Sequence, residues 1–160
     1  MDSLTPAFTD SQPLPPVEAS PVLHPMLPPG AHPNARLIRD GFRAFAEGDV
    51  TGLEKLIAVD SIMHMPGHHP LSGDYKGREA ILELFTQVAV LTDASFRLEL
   101  VHVFADDHVG AAIHTIRAER DARSLAGTYC LLFQIIDGRA MDLELMPLHG
   151  DSTDEDAFWN

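Results

Sequence analysis

Between Asp60 and Phe85 the chain reads DSIMHMPGHHPLSGDYKGREAILELF: a short alternating strand, a Pro-Gly corner, a glycine-bounded loop and an amphipathic helix. Two short helical patterns precede this run and four strand-like segments follow it, so the order of elements reads ααβαββββ. A strand alternates its side chains between two faces and a helix presents one apolar stripe, and each must bury that side against another element. Helices gathered early and strands gathered late predict an α+β fold. Three helices pack on a strongly bent antiparallel sheet and enclose an apolar pocket open at one end.

The first helix is expected from Asn34, a good N-cap residue just after Pro33, with Ile38, Phe42 and Phe45 on one face. Gly48 stops it, and Asp49 caps a second helix whose apolar side is Val50, Leu53, Leu56 and Ile57. Ser61 to Met65 alternates as a strand, and Arg78 to Leu91 places Ile81, Leu84, Phe85, Val88 and Leu91 on one stripe. Strands are then expected from Phe96 to Phe104, Val109 to Arg120, Gly127 to Ile136 and Arg139 to Leu148. The last two are joined by Asp137-Gly138, a strong short-hairpin signal.

Composition excludes several classes. At 160 residues the chain suits one domain, and 45% hydrophobic with 22% charged residues is ordinary for a globular protein. A net charge of -13, with only Lys55 and Lys76 as lysines and the arginines dispersed, argues against nucleic acid and anionic membranes. No apolar run approaches the roughly 20 residues that span a bilayer, and no Lys or Arg precedes an apolar core at the N-terminus. The lone Cys130 rules out an internal disulfide and fits a reducing cytoplasm, the expected location.

Nine of the 12 prolines lie in residues 1–33, where neither helix nor ladder can persist. This arm is expected to be flexible, or to strap a partner subunit through Val22, Leu23, Met26 and Leu27. Residues 34–150 form the expected domain, and 151–160 an acidic tail ending in Phe158-Trp159.

Several short motifs run through the domain. They are Phe42 through Gly48-Asp49, His64-x-Pro66-Gly67, Leu71-Ser72-Gly73-x-Tyr75-x-Gly77, Glu119-Arg120, Phe133-x-x-x-Asp137-Gly138-Arg139 and Phe158-Trp159. Together they resemble the SnoaL-like branch of the nuclear transport factor 2-like superfamily, across residues 34–160. The resemblance implies the cone-shaped, cystatin-like α+β fold shared by ketosteroid isomerases, polyketide cyclases and limonene epoxide hydrolases. It does not by itself imply which chemistry is run.

Carried over position by position, the isomerase oxyanion tyrosine falls at Gly41, its base near Met65 and its second donor near Leu131. None can do that work, so steroid isomerisation by that route is not expected. The hydrolase positions fall at His114, Ala112 and about Leu145, of which only His114 is ionisable. The cyclases use pocket His and Asp residues as acid and base, and His114 is such a histidine.

Strand alternation tests which side chains share a face. If His114 points inward, so do Ile116, then Tyr129, Leu131 and Phe133, then Leu143 and Leu145, with Met63 and Met65 from the first strand. The pocket is therefore apolar, with His114 as proton mover and Tyr129 as hydrogen-bond donor to a substrate oxygen. The plain alternative is a core histidine satisfied by Tyr129 or a carbonyl. Phe42 contributes to the wall, and His64 and Tyr75 are candidates for its mouth. Glu144 faces outward in this register, but a one-residue slip would turn it inward as a base.

His64, His68 and His69 invite a metal reading, but Pro66-Gly67 separates them from helical spacing, and no metal is expected. Ile113, Cys130, Leu132 and Ile136 make the outer sheet face apolar too, which predicts a homodimer. The expected function is a small cofactor-independent cyclase or isomerase acting on a hydrophobic, polyketide-like carbonyl or epoxide compound. A non-catalytic ligand-binding or dimerising domain, and an epoxide hydrolase, are the alternatives.

Overall fold

The computed structural model describes residues 32–149 and 152–160. All but the end of the expected proline-rich arm, including its four apolar anchors, lies outside the described residues. Helices α1 (Pro33–Glu47) and α2 (Val50–Leu56) lead into strands β1 (Ile57–Met65) and β2 (Gly73–Lys76). Helix α3 (Arg78–Leu91) follows, then β3 (Arg97–Ala105), β4 (Val109–Arg120), β5 (Arg123–Ile136) and β6 (Arg139–His149). Helix α4 (Ser152–Trp159) closes the chain. The architecture is α+β, with helices on one strongly curved six-stranded sheet in the order β2-β1-β6-β5-β4-β3.

Three details differ from the sequence reading. The glycine-bounded loop contains the short strand β2, which pairs with β1. The segment read as an acidic tail is largely the fourth helix, α4. The sheet is mixed, because β1 runs parallel to β6 while the other pairs are antiparallel. Its connections explain this. A helical crossover returns the chain in the same direction, so α3 carries the sense of β2 across to β3. Three hairpins then reverse it, leaving β6 antiparallel to β3 and parallel to β1.

Local chemistry sets the boundaries. Pro33 occupies the first turn of α1, where its missing N–H costs nothing, so the cap is His32, whose Nδ1 accepts from Asn34 N. Asn34 donates instead to the Asp106 carbonyl at 2.8 Å and ties α1 to the β3–β4 turn. Gly48 ends α1 at φ 68°, and Asp49 caps α2 through Gly52 N. Ile57 leaves the α2 pattern early and enters β1 with φ -89° and ψ 122°. Register shifts in the β3–β4, β5–β6 and β1–β6 pairs mark the irregularities that bend a sheet. Helix α1 packs on the concave face. At Gly110 an added Cβ would meet the tip of the Ile38 side chain, so α1 approaches the β4 backbone closely there.

No helix among the described residues is long and apolar enough to cross a membrane.

Candidate functional site

The concave face of the sheet and the helices enclose a cavity of about 90 Å³. On β4, Ala112, His114, Ile116 and Ala118 are buried, and the register pairs His114 with Tyr129 and Ala112 with Leu131. On β6, Leu143 and Leu145 are buried while Glu144 between them is exposed. The cavity wall includes Phe42, Met63, Met65, His114, Ile116, Leu131, Phe133, Leu143 and Leu145. Gly41 also lines it. A Cβ there would collide with the Leu56 side chain, so the space a larger residue would need is filled by α2.

Four of the sequence candidates lie elsewhere. Glu144 stands on the outer face, opposite Leu132 on β5 and His64 on β1, so the slipped register that would make it a base is not the one adopted. His64 is also outside the cavity, with Nδ1 2.7 Å from Asp74 and Nε2 3.2 Å from Asp142. Its hydrogen bonds to the carboxylates of Asp74 and Asp142 raise its pKa. Tyr75 donates to the Leu71 carbonyl at 3.0 Å and packs against the core. Tyr129 is buried and faces inward, but it is not part of the cavity wall, and its hydroxyl is committed to Glu155 Oε2 at 3.3 Å.

His114 is 2% exposed. Its Nδ1 lies 3.2 Å from the Ala112 carbonyl, which as an acceptor selects the Nδ1–H tautomer and leaves Nε2 as a basic lone pair. Burial lowers its pKa and the Ala112 contact only partly opposes that, so the ring is neutral at physiological pH. Phe42 meets it edge-on at 5.3 Å, and Tyr129 stacks at 6.1 Å with 22° between the planes.

The functional candidate missing from the sequence reading is Glu155. It is 7% exposed, lines the cavity together with Trp159, and is with His114 one of two ionisable groups in the wall. Burial is the main cause of its raised pKa, and neighbouring Asp156 adds to it, while the Tyr129 hydroxyl and the Trp159 indole oppose the shift. Tyr129 is pushed well above its usual range by burial and by Glu155. A sequence signal existed: Glu155, Phe158 and Trp159 are spaced i, i+3, i+4, and so share one helical face.

Several contacts hold α4 in place. Arg120 donates to the Phe158 and Trp159 carbonyls, and Arg123 to Ala157 O at 3.1 Å, satisfying the free carbonyls of the helix end. His68 N donates to Asp156 Oδ1 at 2.7 Å from the Pro66-Gly67 corner. There Gly67 has φ +100°, and a Cβ would come within 2.7 Å of the same Asp156 oxygen. The corner is thus a seat for α4. His69 lies buried beneath it, its pKa lowered by burial. Among the described residues no group of three His, Cys, Asp or Glu side chains is placed to hold a metal ion.

The SnoaL-like domain profile matches residues 38–142, well over half of the chain. The chain belongs to the SnoaL-like family. Bal32a, from a soil-derived mobile gene cassette, is 34% identical, with 81% of this chain and 98% of that one covered and a TM-score of 0.77. IdmH from Streptomyces antibioticus, a candidate polyketide cyclase, is 19% identical over 73% of this SnoaL-like chain and 93% of its own, with a TM-score of 0.60. An epoxide hydrolase from Mycobacterium tuberculosis, of the limonene epoxide hydrolase-like type, is 14% identical over 82% and 92%, at 0.63. The last two likenesses show the fold alone, the cone-shaped nuclear transport factor 2-like architecture.

Proposed function

We propose that this SnoaL-like protein is a small enzyme for proton transfer on a hydrophobic carbonyl compound, with His114 as the base and isomerisation or cyclisation as the outcome. The observation that carries this reading is an apolar cavity whose wall, among the described residues, holds two ionisable side chains, His114 and Glu155. A neutral imidazole accepts a proton from carbon next to a carbonyl, and a carboxyl whose protonated form burial favours donates toward the oxygen. Tyr129 serves this pair indirectly, by holding Glu155. Opening of an epoxide is the alternative that uses the same acid and base.

The cavity, at about 90 Å³, is smaller than the roughly 150 Å³ of an engineered apolar cavity that takes up benzene. A ligand larger than one ring has to displace part of the wall. Phe45, Phe85 and Phe96, half-buried and edge-to-face at 5.1 and 6.0 Å, are the rings that would yield.

The test is wash-in of deuterium from heavy water at the carbon beside the carbonyl of a hydrophobic ring ketone, followed by mass spectrometry. His114→Ala should slow it by about a hundredfold or more. An unchanged rate would overturn the role given to His114. The second reading, a ligand-binding domain without catalysis, is favoured by the His114 contacts to Ala112 and Phe42, which suit a core histidine. It predicts binding without exchange.

We also propose that the protein works as a homodimer in the cytoplasm. Phe104, 60% exposed, adjoins Ala111, Ile113, Cys130, Leu132 and Met146 on the outer face, an apolar area that a second copy would cover. The unpaired Cys130 suits a reducing compartment.

A further inference from the structure

Helix α4 brings a chemistry to the cavity that the sheet does not supply. Glu155 and Trp159, four residues apart, stand one above the other on its inner face, and both form part of the cavity wall. The Glu155 side chain is 9% exposed, and its Oε2 accepts from Tyr129. Its Oε1 lies 4.0 Å from His69 Nε2, beyond hydrogen-bond reach. His69 Nδ1 accepts from Leu71 N, so the proton of the neutral ring sits on Nε2. Both that nitrogen and Trp159 Nε1 are buried without a hydrogen bond of full geometry among the described residues, although the Pro66 carbonyl acts on the His69 ring. The indole does lie on the Glu155 side, where it favours the charged carboxyl.

Buried donors without acceptors are uncommon in folded proteins and call for an explanation. Here the indole donor stands beside a carboxyl in the wall of an otherwise apolar cavity, with His69 behind it. We infer that the Glu155–Trp159 wall is an oxygen-binding subsite, which makes the ligand a neutral hydrophobic molecule bearing a carbonyl or hydroxyl oxygen at one end. This rests on reading the cavity as the ligand site. A carbonyl oxygen has two lone pairs, which the Trp159 N–H and, in the protonated form that burial favours, the Glu155 hydroxyl can fill. The charge of the adjacent Asp156, which also raises the Glu155 pKa, disfavours a ligand carboxylate, so acids are rejected where ketones and alcohols are accepted. The hydrocarbon part lies toward Met63, Met65, Leu143 and Leu145.

The chain contains a single tryptophan, so its indole N–H gives one resolved signal in a proton–nitrogen correlation spectrum. The probes are cyclopentanone and methylenecyclopentane, which match in shape and differ in the oxygen. Both should shift the methyl signals of Met63 and Met65, and the ketone alone should move the indole proton downfield, saturably. If the ketone shifts the methionines and leaves the indole in place, the subsite is wrong and the cavity reading stands. If neither probe shifts the methionines, both fall.

A pair of variants supplies the second readout. Glu155→Leu should weaken cyclopentanone about tenfold relative to methylenecyclopentane, whereas Glu155→Gln, which keeps a donor, should hold it within about threefold of the parent. Equal weakening of both probes by Glu155→Leu would mean that Glu155 only supports the wall, and would overturn the subsite.

Discussion

Glu155 accepts a hydrogen bond from Tyr129, yet burial holds its pKa above the ordinary carboxylate value, so the folded chain keeps that proton more tightly than the unfolded chain does. The linked stability is fully present below the unfolded carboxyl pKa and is lost as pH rises through the raised folded value. His114 and His69 carry the opposite sign. Burial lowers both, so their contribution is present above about 6.5 and is lost as pH falls. Glu155→Gln keeps the Tyr129 contact and removes the titration. Its urea midpoint should match the parent near pH 4, where carboxyls are protonated, and exceed it near pH 8. An unchanged difference across that range would contradict a buried, titrating Glu155. At this scale His114 was legible, because a strand period of two placed it among Ala112 and Ile116. Glu155 was missed, because it sits among Asp154 and Asp156 in a segment read as a tail, and only its helical spacing to Phe158 and Trp159 sets it apart.

Two hairpins show how far turn chemistry carries at the level of elements. Asp137 and Gly138 have φ of 50° and 70°, both left-handed, as a two-residue turn between right-twisted strands requires, and the Asp-Gly pair announces it. Asp121 and Ala122 adopt the same conformation, φ 47° and 62°, without a glycine. The start of β5 was therefore expected at Gly127, while the ladder begins at Arg123. Alanine is strained in the left-handed region, so Ala122→Gly should stabilise the protein by about 0.5–1 kcal/mol in chemical denaturation. A loss of stability would show that the turn is not strained. The same hairpin aims Arg120 and Arg123 at the α4 carbonyls. The sequence reading held Glu119-Arg120 as a motif and could not reveal that contact, because its partner lies 39 residues away.

Across the whole molecule the sheet carries apolar residues on both sides. The concave side is filled by α1, α3 and the cavity wall, and the convex side carries Phe104, Ile113 and Leu132. With a second copy on the convex side, sedimentation velocity at micromolar concentration should give twice the 17.5 kDa chain mass. Phe104→Glu should shift the protein toward monomer without changing its helix and strand content. A parent protein that sediments as a monomer would remove the proposed dimer.

What the residue pattern determined by itself was periodic and local: the first three helical stripes, the four long strands, the inward set around His114 and the Asp-Gly hairpin. These follow from 3.6- and 2-residue repeats and from turn residues that need particular backbone angles. Tertiary structure alone decided the parallel pairing of β1 with β6, the exclusion of His64 and Glu144 from the cavity, and the seating of α4 against the Gly67 corner. Those depend on which distant segments meet. Burial, rather than spacing, turned one glutamate of an acidic run into half of the proposed acid–base pair.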